Sequence, residues 1–203
     1  MYKIENKLWD EGFRYVMGLD EVGRGCLAGP VVAAGVILQR GSEITGINDS
    51  KQLSLKEREC LAEIIKANAL CWVVRQCDVH EIADLNILWA SLKAMEKCVK
   101  SAEPKPDYLL IDGNRYPATI TPHSKIVKGD SKSASIAAAS ILAKVHRDAL
   151  MKKMHTKYPD FGWDTNVGYP TKKHYRGLKK FGYTPHHRTT FALKTEKKYQ
   201  PKS

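Results

Sequence analysis

Apolar and polar positions along the chain follow two periods, and the places where one gives way to the other outline the elements. Residues 15–20 and Val31–Leu38 (VVAAGVIL) are short apolar runs separated by the turn GRGCLAGP, and so short a connection predicts an antiparallel pair of strands. Leu55–Ala67 sets Leu61, Ile64 and Ile65 on one side and charges on the other, which predicts a helix with Ser54 as its N-cap. Residues 69–79 (ALCWVVRQCDV) are β-branched and aromatic in the middle and read as a third strand. Over residues 83–102, Leu85, Leu88, Leu92, Met95 and Val99 recur at helical spacing. The breaker EPKPDY then leads into a buried strand, YLLID (108–112), and KIVKGD (125–130) reads as a fifth, short strand. From Ser133 to Tyr158 runs a long helix whose first half is small residues, which let a helix lie close on a sheet. A last helix, Lys172–Lys180, carries a basic cluster. Strands followed by strand and helix in alternation predict an α/β fold, a sheet with helices packed on it.

At 203 residues and 43% hydrophobic the chain suits one domain, residues 1–203, with a substantial core. Its charge changes the picture. The formal net charge is +11 and the pI near 9.4, which points to a polyanionic partner, nucleic acid or an anionic membrane surface. Tyr169–Ser203 holds ten Lys and Arg against the single acid Glu196. Within it Tyr175, Phe181, Tyr183, His186 and His187 are interleaved with the cations, a mixture suited to phosphates and sugars. The last residues, 194–203, are expected to form a flexible tail. Five cysteines without a C-x-x-C pair indicate neither a disulfide framework nor a zinc knuckle. With no apolar signal region at the N-terminus and no run long enough for a membrane span, a cytoplasmic protein without membrane attachment is expected.

The turn raises the question of chemistry. Gly23, Gly25 and Gly29 follow a strand, as in dinucleotide and nucleotide sites, but what comes next is Pro30 and another strand rather than the helix whose N-terminus would bind phosphate. Directly before the turn stand Asp20 and Glu21. Two carboxylates facing a phosphate repel it unless a hard divalent cation lies between them. Asp112, at the end of YLLID, and Asp130, at the end of KIVKGD, are further acids at strand ends, although each also suits a turn or a helix start. Neighbours on an ideal strand point to opposite faces, so Asp20 and Glu21 are expected where the strand ends or bulges.

GLDEVGRGCLAGPVVAAGVIL, NDSKQLS, LLIDGN, KGDSKSASIAAASILAKVHRD and GYPTKKHY resemble, in order, the successive motifs of the bacterial ribonuclease HII family, over roughly residues 13–191. The resemblance implies a ribonuclease H-like fold, a mixed central sheet flanked by helices, with a C-terminal helical extension. It implies that Asp20, Glu21, Asp112 and Asp130 are the catalytic, metal-binding acids, holding Mg²⁺ or Mn²⁺ in a two-metal mechanism. The implied substrates are RNA/DNA hybrids and duplex DNA containing ribonucleotides, cut 5′ of the ribonucleotide to leave 3′-hydroxyl and 5′-phosphate ends. In this family the turn Gly23, Arg24 and Gly25 recognises the 2′-hydroxyl and nearby phosphate, and Tyr169 packs against the sugar on the DNA side of the junction. Residues 169–191 are expected to form the basic substrate-binding region, and the chain is expected to act as a monomer with no protein partner assigned.

Other residues invite sharper readings than they support. Asp148 has Lys144 and Lys152 one helical turn away on either side and reads as a helix-packing or surface partner, not a metal ligand. Asp49 and Lys51 match a motif and are read as a loop near the site and a phosphate contact. His186 and His187, adjacent and nitrogen-bearing, suit nucleic-acid contact or loop packing better than a hard cation. The rival functions are another nuclease of the same fold, a non-catalytic hybrid-binding module and a metal-dependent phosphatase.

Overall fold

The computed structural model describes residues 1–47, 53–117 and 119–193; Asp49, Lys51 and the expected tail lie outside these. Its centre is a five-stranded sheet of β1 (Val16–Val22), β2 (Val31–Leu38), β3 (Ala69–Cys77), β4 (Tyr108–Asp112) and β5 (His123–Ile126), in the order β3-β2-β1-β4-β5. The pairs β1–β2 and β2–β3 are antiparallel, while β1–β4 and β4–β5 are parallel, so the sheet is mixed. β1 and β4 therefore end at the same edge of the sheet.

Helices cover both faces. On one lies α3 (Val79–Ser101), whose Ile82, Leu92, Met95 and Cys98 pack on Met17 and Leu19 of β1 and on Leu109 and Ile111 of β4. On the other lie α2 (Leu55–Asn68) and α4 (Ala134–Lys157), whose Leu61, Ile65 and alanine run 137–139 pack on Val32, Ala34 and Val36 of β2. The small residues of α4 serve the purpose their pattern predicts. A Cβ on Gly18 would lie 2.2 Å from the carbonyl carbon of Ser135, so the helix backbone rests directly on β1.

Caps fix where the helices begin. Ser54 Oγ accepts from the Glu57 amide at 3.3 Å and Glu57 reaches back to the Ser54 amide at 2.8 Å, the capping box behind the predicted N-cap. α3 starts before the predicted residue 83, because Asp78 caps the amides of His80 and Glu81 at 2.9 Å while Glu81 bonds back to Asp78; polar residues open the helix, and apolar spacing does not announce it. The helix is also broken at Asn86 (φ 63°), whose side chain caps the Leu88 and Trp89 amides and restarts it.

The fifth strand is displaced from its predicted position. It covers residues 123–126, not 125–130, since Lys128 takes a left-handed conformation (φ 57°) and turns the chain into a 3-10 turn, Gly129–Ser131. The N-terminus adds α1 (Lys3–Asp10), an element the periodicity does not reveal. Beyond α4 a smaller core of Met151, Phe161, Trp163 and Val167 carries α5 (Trp163–Asn166) and α6 (Lys172–Phe181). Among the described residues no helix is long and apolar enough to cross a membrane.

Candidate active site

The register of two strands assembles the first acids. Leu19 of β1 stands beside Ile111 of β4, so the next residues, Asp20 and Asp112, come side by side at the carboxyl edge of the sheet. Pairing of β1 with β2 continues through Asp20, Glu21 and Val22 without an offset, so of the two expected arrangements, a strand end or a bulge, there is no bulge. The pair stands at the end of the strand. Asp20 faces α4, where the Ser140 hydroxyl bonds to it, and Glu21 faces α3. Asp112 reaches both electrostatically.

Asp20 is 7% exposed. Burial pushes its carboxyl well above the usual range, opposed by the Ser140 bond and reinforced by the charges of Glu21 and Asp112. Burial raises Glu21 as well, Arg24 counters it through an ion pair of 3.0 Å, and Asp112 adds to it. Asp130 lies on the 3-10 turn next to Gly129, whose amide donates to Asp112 Oδ1 at 2.6 Å, so the turn is tied to the end of β4. An open groove of about 470 Å³ begins at these residues, lined by Glu21, Arg24, Ser91, Asp112, Asn114 and Arg115.

Among the described residues no three carboxylate, imidazole or thiol groups stand close enough to form a ready coordination shell. The donor chemistry nevertheless fits a hard divalent cation. The groups are all carboxylates, and burial together with repulsion from neighbouring acids raises Asp20 and Glu21, a cost that a cation bound beside them would offset.

The turn is built from beneath by two buried arginines. Arg147 of α4, wholly buried, donates from Nε to Pro30 O at 3.0 Å, from Nη2 to Ala28 O at 3.1 Å and from Nη1 to Val167 O at 2.8 Å. Arg188 donates to Gly29 O at 2.9 Å and Arg24 O at 3.0 Å. Gly23 has φ 94°, and a Cβ there would lie 2.2 Å from Arg147 Nε. The backbone bond from Leu27 to Gly168 O, 2.8 Å, joins the turn to the segment that carries Tyr169. A Cβ on Gly25 would stand 3.8 Å from the Tyr169 ring, so the glycine turn and the tyrosine come together as one surface. Arg147 had a sequence signal, since it shares a helix stripe with Ala143 and Met151, but lysines and histidines around it mask the stripe. Asp148 pairs with Lys144 at 2.8 Å as expected.

His187 is buried in the loop, not presented to a substrate. Its Nδ1 accepts from the Thr184 amide at 2.8 Å, its Nε2 lies 3.0 Å from Nε2 of His174, and Nδ1 of His174 lies 3.0 Å from Tyr169 O. One set of neutral tautomers satisfies this chain, with His187 donating to His174 and His174 donating to Tyr169 O. Burial, then the neighbouring His174, pushes His187 down to about 4, against roughly 6.5 in an unfolded chain. The unfolded chain therefore takes up the proton first, so this contribution to stability is complete above pH 6.5 and is lost as pH falls toward 4. Tm should drop by several degrees across that window, and less steeply in His187→Gln. Equal slopes in wild type and variant would refute the assignment.

Acids at the ends of neighbouring parallel strands, a groove beside them and a basic flank suit metal-assisted chemistry on a polyanionic substrate. The sequence matches the family model for ribonuclease HII over residues 17–194. It is 49% identical over 197 residues to the ribonuclease HII of Salinibacter ruber, covering 95% of this chain and 98% of that protein. The chain belongs to the ribonuclease HII family. Among solved structures, the ribonuclease H2 of Pyrococcus horikoshii is similar with a TM-score of 0.75 at 26% identity, covering 87% of this chain and 93% of that one. Bst-RNase HIII in complex with Mn²⁺ shares the fold, with a TM-score of 0.66 at 20% identity over 89% of this chain and 68% of that one.

Proposed function

We propose that this chain hydrolyses the RNA strand of RNA/DNA hybrids and cuts 5′ of ribonucleotides embedded in duplex DNA, using Mg²⁺ or Mn²⁺ held by Asp20, Glu21, Asp112 and Asp130. The observation that carries the reading is the strand register that sets Asp20 beside Asp112, with Glu21 next to them at the head of the groove. The reaction depends on a divalent metal ion. When bound, a pair of such ions supplies an activated water and neutralises charge on the phosphate being cut. Arg24 pairs with Glu21 in the resting site and is half exposed, so it can turn to a substrate phosphate once Glu21 engages a cation. Gly25 has no side chain to hold a ribose away from the backbone beside Tyr169, while Gly23 lets the turn close on Arg147 beneath it, and the 2′-hydroxyl is what separates RNA from DNA there. Tyr169, 40% exposed beside the turn, presents a ring to the adjoining sugar. Lys172, Lys173, Arg176, Lys179 and Lys180 lie on the exposed face of α6, while His174 and Gly177 face inward, so the helix offers a duplex a purely cationic side.

The test is cleavage of an end-labelled DNA duplex containing one ribonucleotide, beside its all-DNA twin and a long hybrid, in Mg²⁺, Mn²⁺ and EDTA. A cut immediately 5′ of the ribonucleotide in either metal, with the twin untouched, is the expected result. Cleavage of the hybrid alone would refute the junction role of Tyr169, and binding without cleavage in any metal would refute the catalytic reading.

A further inference from the structure

Glu5 is wholly buried, and it belongs to α1, outside the residues that match the family model. Its Oε1 accepts three hydrogen bonds from the start of α4: from Ser133 Oγ at 2.5 Å, from the Ser135 amide at 2.9 Å and from Ser135 Oγ at 2.7 Å. The other oxygen, Oε2, is buried without a hydrogen-bond partner among the described residues. A carboxylate seated among the first amides of a helix is favoured by the exposed N–H groups there. Bringing a glutamate from a separate helix into this position still costs desolvation, and a chain needing only a helix cap has Ser133 for that, since its hydroxyl already accepts from the Ile136 amide at 3.2 Å.

What lies next to this junction gives it a use. The amides of Lys132 and Ser133 both donate to Gly129 O at 2.9 Å, closing the turn that carries Asp130, and the Gly129 amide holds Asp112. One and a half turns further along the same helix, Ser140 bonds to Asp20. From the other side the helix start rests on β1 at Gly18. The place where α4 begins thus sets three of the four acids relative to one another, and Glu5 pins that place.

We propose that Glu5 is a positioning residue for the metal site, acting through Ser133 and Ser135 on the Gly129–Ser133 turn, so that α1 is part of the active-site scaffold. The inference rests on the reading of Asp130 as a metal ligand.

Three measurements on Glu5→Ala, Glu5→Gln and Asp130→Asn test it: Mn²⁺ binding followed by the electron paramagnetic resonance of the free ion, the Mg²⁺ midpoint for cleavage, and amide exchange at Lys132 and Ser133 in EDTA. Partners that orient ligands typically change metal affinity by about 10–100-fold. Glu5→Ala should weaken Mn²⁺ binding and raise the Mg²⁺ midpoint by about tenfold or more, with KM for the duplex at saturating metal unchanged and faster exchange at both amides. Glu5→Gln keeps an acceptor oxygen and should recover most of the affinity. A folded Glu5→Ala protein with wild-type Mn²⁺ affinity and midpoint overturns the proposal, as does a loss confined to Tm. If Glu5→Ala does not fold, Ser135→Ala, which removes one donor only, must shift the midpoint in the same direction or the proposal fails. Asp130→Asn separates the two ideas: wild-type metal binding in that variant sinks the ligand assignment itself, whereas its loss beside an unaffected Glu5→Ala sinks only the role of Glu5.

Discussion

Asp20→Asn is expected to lower the cleavage rate by at least about three orders of magnitude, the several kcal/mol that a correctly held metal centre contributes at roughly 1.4 kcal/mol per tenfold. The same variant should fold as well as the wild type. Asn is isosteric, keeps an oxygen for the Glu21 amide that Asp20 accepts at 2.7 Å, and removes a charge that burial, Glu21 and Asp112 all disfavour. In EDTA, Tm of the variant should therefore equal or exceed that of the wild type. Adding Mg²⁺ should raise the wild-type Tm and leave the variant where it was, because only a protein that binds the ion gains stability from it. A variant that is inactive because it is unfolded, or one that still cuts at a wild-type rate, would contradict the assignment of Asp20.

Gly18→Ala should damage the molecule as severely by a different route. The added Cβ would lie 2.2 Å from the Ser135 carbonyl carbon and 2.3 Å from the Ile136 nitrogen, both backbone atoms of α4 that no rotamer can move aside. The helix has to withdraw from β1, taking Ser140 away from Asp20. Overpacking of this kind costs about 3 kcal/mol or more, which for a domain of this size lowers Tm by roughly 6–12 °C. Gly35→Ala is the comparison, since its nearest neighbour is the flexible end of Met17 at 2.9 Å, and it should cost clearly less. Thermal melts of the two variants decide the matter: equal losses would mean that the α4–β1 contact has no special rigidity.

The parts of the site that were legible in the sequence are those where a pattern ends abruptly. YLLID stops at Asp112 and GLDEV runs into a glycine turn, so an apolar strand delivers an acid to a sheet edge, and the alanines of α4 announce a close helix. What was hidden depends on partners distant in sequence. Glu5 sits among ordinary surface-type residues of a short helix, and only its meeting with Ser133 and Ser135 makes it special. Arg147 and Arg188 bond to main-chain oxygens, which every residue possesses, so no partner residue type betrays them. Asp130 was singled out by its motif but misplaced on a strand, because the left-handed Lys128 that bends the chain is not a residue type that favours such a turn.

β1 is hydrogen-bonded along both edges and packed on both faces, between α3 and α4. Such a strand exchanges its amides only when the whole domain opens, whereas the Tyr169 segment rests on the small separate core of Met151, Phe161 and Trp163. Partial opening under heat or mild denaturant is thus expected to reach the Tyr169 segment while the acids are still in register. On the role proposed for Tyr169, a warmed enzyme is expected to lose its discrimination between substrates before it loses its capacity to cut.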